Sequence, residues 1–178
     1  IEEALELRAA GVEKPVLTLG YTASQQLMEA IRNDITLTLC DRESAEEISE
    51  AAGRLGMTAK VHIKVDTGMG RIGFVSEPSF AVMAAEAVKL PNICATGVYT
   101  HFARADETDK SATKVQYEKF LGFIEILKQQ GIDGLLRHAE NSAAILSLPE
   151  YQLDMVRLGI SLYGMYPSEE VVTKETKL

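Results

Sequence analysis

Apolar residues along the chain alternate between two rhythms, a helical spacing and short β-branched or strictly alternating runs. Glu2 to Arg8 reads as a helix stopped at Gly11, and Pro15 to Leu19 as a short strand. Ser24 to Ile31 is helical again, and Ile35 to Cys40 is a β-branched strand. Asp41 then stands as N-cap to a helix over Ala45 to Leu55. Ala59 to Asp66 alternates through Val61, Ile63 and Val65, a third strand, and Pro78 to Leu90 follows as an Ala-rich amphipathic helix. Ile93 to Phe102 predicts a strand and Asp109 to Gln130 the longest helix. Leu135 to His138, Ser142 to Leu148 and Met155 to Tyr163 predict a strand, a short helix and a final strand.

Six β–α alternations without hairpin dipeptides imply a parallel sheet. A doubly wound sheet and a (β/α)8 barrel both fit, and six strands entered mid-unit suit a barrel lacking its first two. The absence of a starting Met at Ile1 and the abrupt close at Leu178 make a piece of a longer protein the expectation.

Composition narrows the function classes. The 178 residues are 46% hydrophobic and 25% charged, which excludes a disordered chain. A net charge of −8 argues against nucleic acid or an anionic membrane as partner. No apolar run is long enough to span a bilayer. Cys40 and Cys94 are too few for a disulfide scaffold and fit a reducing compartment.

Parallel α/β folds place their chemistry beyond the C-terminal ends of strands. Lys64, Asp66 and Arg71 fall there after the third predicted strand, and His101 at the fourth. His138, Asn141 and Ser142 follow the fifth, while Arg157, Gly159 and Ile160 lie on the sixth. Gly68-Met69-Gly70-Arg71-Ile72-Gly73 matches the dinucleotide spacing, but no helix opens directly after it, as pyrophosphate binding would need. His62, His101 and His138 invite a metal reading but lack closely spaced ligand pairs, and His62 is expected to face away from the neighbours of Lys64. Ser142 is either a simple helix cap or, with the glycine of Arg157-Leu158-Gly159-Ile160, part of a phosphate site. Taken as a buried structural charge, Arg157 would pair with Asp154 or Glu140.

Four ordered stretches carry a family resemblance: Lys64 to Gly73, Tyr99 to Ala103, His138 to Ala144, and Met155 to Gly164. Together they resemble the alanine racemase family, pyridoxal-phosphate enzymes with an N-terminal (β/α)8 barrel and a C-terminal β-domain. The resemblance implies that residues 1–178 are part of that TIM barrel, about strands three to eight, without the β-domain. It implies that Ser142 and the Gly159 and Ile160 amides hold the cofactor phosphate, with Asn141 in the same pocket. Arg157 would face the pyridine nitrogen, oriented by His138, and Arg71 would bind the phenolic oxygen. Lys64 is a position that the family can carry as a carbamate to orient Arg71. His101 would tune a tyrosine from the other domain, and Leu17 and Leu19 would line the ring's surroundings.

By the same resemblance the reaction is L-/D-alanine interconversion, supplying D-alanine for peptidoglycan in the cytoplasm. The enzyme would be a homodimer sharing its active sites and would need no metal. The family's lysine base would precede Ile1 and its tyrosine base would follow Leu178, so neither proton-transfer base is named here. A related serine racemase, a single-domain PLP carrier without turnover and a metal-dependent barrel hydrolase stand as alternatives.

Overall fold

The computed structural model describes residues 1–171; the predicted lack of a closing element after Val172 lies outside them. Among these residues six α-helices alternate with the strands, except that the fourth strand follows the third directly. They are α1 (Glu2–Ala9), β1 (Val16–Leu17), α2 (Ser24–Arg32), β2 (Ile35–Leu39), α3 (Arg42–Leu55), β3 (Ala59–Asp66), β4 (Phe74–Val75), α4 (Pro78–Ala87), β5 (Ile93–Tyr99), α5 (Ser111–Gln129), β6 (Leu136–His138) and α6 (Ser142–Ser147). The sheet runs β1-β2-β3-β5-β6, all parallel, with β4 a short parallel spur beside the end of β3. This chain-order succession decides between the two architectures. A doubly wound sheet reverses order at a switch point, whereas a barrel adds each strand on the same side. The chain therefore forms an incomplete (β/α)8 barrel.

Local chemistry accounts for the element ends. Asp41 Oδ1 accepts the Ser44 amide at 2.7 Å while Ser44 Oγ accepts the Asp41 amide at 3.2 Å, a reciprocal cap that starts α3 at Arg42, ahead of the expected Ala45. Gly56 ends the helix in the left-handed region at φ 61°. Arg8 spans from α1 to the α2–β2 turn, donating to the carbonyls of Val12, Lys14, Asn33 and Asp34.

The central strands, β2 and most of β3, are buried on both faces, and the faces of the sheet differ in kind. Leu37, Leu39, Val61, Ile63, Val65 and Val98 face the helices and join the apolar core with Ile48, Ala84, Phe120 and Leu127. The inward face instead carries Thr38, His62, Lys64, Tyr99 and His138, all buried. Register sets Thr38 beside His62, and Lys64 beside Tyr99 and then His138, so these polar groups form rows across the sheet.

The expected final strand over Met155 to Tyr163 is corrected. Met155 makes one bridge to His138, and the chain then turns at Gly159 (φ −101°, ψ −108°) into a 3-10 turn, Ile160–Tyr163. Ser142 Oγ takes the amides of Gly159 at 2.9 Å and Ser161 at 3.3 Å, donors that a strand would have given to a neighbour. The apolar residues of that alternation stay exposed among the described residues, with Leu158, Ile160, Leu162, Tyr163 and Met165 uncovered.

Unpaired sheet edges beside such a surface favour self-association. Residues 1–178 expressed alone should sediment as concentration-dependent oligomers or aggregates; a monodisperse monomer across the micromolar range would contradict this.

Candidate active site

The inward polar rows end in one hydrogen-bonded chain. Arg157 Nη1 lies 2.6 Å from His138 Nδ1, and His138 Nε2 lies 2.9 Å from His62 Nδ1. A guanidinium can only donate, so His138 must accept at Nδ1 and carry its proton on Nε2. That proton is then donated to His62, whose own proton sits on Nε2. One cation thus fixes the tautomers of two neutral imidazoles in series.

Burial keeps both rings neutral. It lowers His62 from 6.5 to about 4, and it lowers His138 to about 2, with the Arg157 charge and His62 adding to the effect. Tyr99 stacks on His138 at 4.8 Å and 3° and lies beneath Arg157, whose Cζ is 5.3 Å from the ring centroid. The Tyr99 hydroxyl reaches Thr38 Oγ1 at 2.7 Å, and Thr38 in turn donates to the Thr18 carbonyl.

Arg157 has neither of the carboxylate partners proposed for it. Its Nη2 donates to the carbonyls of Thr100 at 2.7 Å and Ala139 at 2.9 Å, with His101 Nδ1 at 3.5 Å. Asp154 is engaged by Arg137 at 2.8 Å. Glu140 offers its main-chain carbonyl to the Arg157 amide, while one carboxyl oxygen is buried without a partner among the described residues. Burial lowers Arg157 to about 10, opposed by Tyr99, so it remains a cation at neutral pH.

The glycine-rich loop has a use other than binding a dinucleotide. Asp66 Oδ1 accepts the Gly68 and Gly70 amides at 2.9 and 3.1 Å, and Oδ2 accepts the Arg71 amide at 3.1 Å. Burial works to raise this carboxyl, but those amides and Lys64 outweigh it and hold it below the ordinary carboxylate range. Gly73 (φ 117°) backs onto Lys64, where a Cβ would come within 2.8 Å of Lys64 Cγ and its carbonyl. The glycines fold the loop around its own strand's aspartate, a nest for an internal anion.

Around this frame lies a cavity of about 440 Å³, lined in part by Leu19, His101, Asn141, Ser142, Arg157 and Gly159. Ile160 also borders it. Asn141 caps α6 through the Ala144 amide at 3.1 Å and donates to the Phe102 carbonyl. Burial, then the charges of Arg157, Arg71 and Lys64, lower His101 to about 4. The Ser142 hydroxyl accepts the amides of Gly159 and Ser161.

Three expected residues stand apart from the cavity wall. Leu17 lies deeper on β1 and does not border it. Arg71 is exposed, with its amide held by Asp66. Lys64 is buried and donates to the Val65 carbonyl at 2.9 Å. Burial, with Arg157 and Arg71 adding and Asp66 opposing, lowers it to about 8.

His62 corrects the expected orientation. Residues two apart on a strand share a face, so His62 points inward with Lys64 and completes the chain to Arg157. Sequence reasoning also passed over Gly97, although a glycine inside a strand signals close approach. A Cβ there would lie 2.5 Å from His62 Cε1. Among the described residues no group of three or more His, Cys, Asp or Glu could hold a metal ion. No helix among them is long and apolar enough to cross a membrane.

A family model described as alanine racemase, N-terminal domain, matches residues 1–167. An alanine racemase from Methanococcus maripaludis is 49% identical over 95% of this chain and 45% of its own length. The solved alanine racemase of Clostridium difficile 630 superposes with a TM-score of 0.96 at 41% identity, covering 99% of this chain and 46% of that one. One from Bacillus anthracis, solved with bound L-Ala-P, gives 0.88 at 38% identity, covering 96% and 44%. The chain spans about half the length of the curated relatives it matches.

Two outcomes test the histidine chain. Gly97→Ala should push His62 off His138 and destabilise the fold by about 1–3 kcal/mol in urea unfolding; an unchanged midpoint would contradict the packing. His62 and His138 have folded pKa values below the unfolded 6.5, so their contribution is complete above pH 6.5 and is lost as pH falls toward 4. Each withdraws up to about 1.4 kcal/mol per pH unit there. His62→Asn, which keeps an acceptor for His138, should flatten that slope by one histidine's share, and an identical slope would refute a neutral His62.

Proposed function

The chain belongs to the alanine racemase family, and from that premise we propose that it is the cofactor-binding barrel portion of a longer enzyme interconverting L- and D-alanine. The observation carrying this reading is the charge of the site. In a chain of net charge −8, Lys64, Arg71 and Arg157 converge on one end of the sheet, and Arg157 is satisfied by neutral acceptors alone. Such a place suits an anionic aromatic ligand, and pyridoxal phosphate fits the donors present.

When bound, pyridoxal phosphate supplies a conjugated ring that takes up the electron density left as the amino acid loses its α-proton. Ser142 and the Gly159 and Ile160 amides would hold the phosphate, with Asn141 in the same pocket; a Gly159 Cβ would sit 3.5 Å from Ser142 Oγ. Arg157, kept cationic, would face the ring nitrogen and disfavour its protonation. His138 and His62 would orient that guanidinium. Arg71 would serve the phenolic oxygen, and Leu19 and, more remotely, Leu17 would flank the ring. His101, held neutral beside Arg157, would tune a proton-transfer tyrosine supplied from outside the described residues.

Lys64 is proposed as the support for Arg71. With its pKa near 8, part of the amine is neutral at physiological pH. That neutral amine can combine with carbon dioxide, forming an N–C bond and releasing a proton, to give a carbamate anion. The product would turn two like charges into an ion pair. We assign no described residue as a proton-transfer base. A homodimer sharing its sites, a cytoplasmic location and a supply of D-alanine to peptidoglycan complete the proposal.

The decisive assay uses the complete protein. It should racemise L-alanine with a visible cofactor band, and Ser142→Ala should weaken cofactor binding by roughly 10-fold or more in an absorbance titration. A complete protein that binds the cofactor without racemising alanine would remove the enzymatic reading. Unchanged binding by Ser142→Ala would remove the phosphate assignment alone.

A further inference from the structure

The inward stripe of α5 runs through Thr113, Phe120, Phe123, Ile124 and Leu127, and Gln116 interrupts it with a buried amide. All of its strong hydrogen-bonding capacity is used on the loops beyond the strand ends. Gln116 Oε1 accepts the Ala103 amide at 2.9 Å. Its Nε2 donates to Thr67 Oγ1 at 3.1 Å and to the His101 carbonyl at 3.3 Å. The amide orientation is therefore unambiguous, since Ala103 N–H can only donate and the His101 carbonyl can only accept.

The bonds continue in one direction. Thr100 Oγ1 gives its proton to the Val65 carbonyl at 2.9 Å, so it accepts from Thr67 Oγ1 at 2.7 Å, and Thr67 accepts from Gln116. The Thr100 carbonyl is the acceptor of Arg157 Nη2. Gln116 also backs Gly68 (φ 139°), whose Cβ would sit 3.7 Å from Gln116 Cγ, at the start of the loop that carries Arg71. One side chain thus ties together the segment bearing His101, the loop bearing Arg71 and the residue that accepts Arg157.

We propose that Gln116 is a positioning residue, which fixes His101 and the Arg71 loop relative to Arg157 and so sets the geometry of the reacting site. The proposal rests on the racemase reading for its catalytic consequence, but its geometric content does not. Gln116 itself borders no part of the cavity near Ser142 and Arg157. It acts through its partners, and a shift of about 1 Å in such groups can cost about 100-fold in rate.

The test uses the complete protein and three variants. Gln116→Met fills the volume without the hydrogen bonds. Gln116→Glu keeps the acceptor and, when ionised, loses both donors. Thr113→Val changes a neighbouring buried hydroxyl that has no hydrogen-bond partner among the described residues, and serves as the control for disturbing this helix face.

Gln116→Met should lower kcat by about 10- to 100-fold, while Thr113→Val stays within about twofold of the parent. NMR titration of His101 supplies the readout that turnover does not. The groups acting on this ring are Arg157, Arg71 and Lys64, and with them and burial it stays neutral to about pH 4. Once released in Gln116→Met it should titrate closer to 6.5.

Gln116→Glu covers the case in which the methionine variant does not fold. Its activity relative to the parent should fall as pH rises and the protonated carboxyl loses its one donor. A pH-independent ratio, or a Gln116→Met protein with parental kcat and His101 titration, would overturn the proposal. If the parent fails to racemise alanine while His101 still shifts in Gln116→Met, the racemase reading falls and the positioning role stands.

Discussion

A guanidinium inside a barrel normally needs a carboxylate, because an unpaired buried charge costs several kcal/mol. Arg157 is instead held by two main-chain carbonyls and one imidazole. Hydrogen bonds to a charged donor contribute about 1.5–3 kcal/mol each, enough to offset much of that cost without neutralising the charge. The residual positive potential is the useful part. A carboxylate in the same place would stabilise the side chain and cancel the field that an anionic ligand needs. The remaining polar interior follows from this choice: His138 must be neutral with its proton on Nε2, His62 must accept that proton, and Gly97 must lack a side chain to leave room for the His62 ring.

The opposite arrangement stands at the end of β3. Asp66 gathers three amides from the glycine-rich loop, so the loop's dipoles are spent on an anion that the protein itself provides. A phosphate-binding turn has similar glycine spacing because both tasks require amides to converge and a backbone free to take positive φ. What separates them is the residue ending the strand. An aspartate there satisfies the nest internally and converts a binding loop into a rigid support for the residue at its tip.

Much of the fold was legible because helix caps and strand patterns are local. Asp41, the Ala59–Asp66 run and the length of α5 left little choice, and the strand-end residues His101, His138, Asn141 and Ser142 pointed to one end of the sheet. The failures share a cause, which is competition that local pattern cannot see. Val156, Leu158 and Ile160 alternate as a strand should, yet Ser142 Oγ takes the amides that would have paired, and the chain turns at Gly159. The sequence offers Arg157 the carboxylates of Asp154 and Glu140, but Asp154 is engaged by Arg137 and Glu140 gives Arg157 only its main-chain carbonyl. Strand periodicity places His62 on the face of Lys64, against the expectation that it faces away, and its partner 76 residues later leaves no local signal.

Two directional hydrogen-bond chains meet at Thr100. Its carbonyl receives Arg157, which also drives His138 and His62, and its hydroxyl receives Thr67, itself supplied by Gln116. Thr67, Thr100 and His138 each use their one proton once, so none of them can reverse without leaving a donor facing a donor or an acceptor facing an acceptor. Each such mismatch in a buried site costs about 1–3 kcal/mol, so the alternatives to the observed arrangement lie well above it. These bonds fix Arg157 and its imidazole partners relative to one another. Under the racemase reading proposed above, binding energy would then not be consumed in arranging them and would remain available for interactions that strengthen in the transition state.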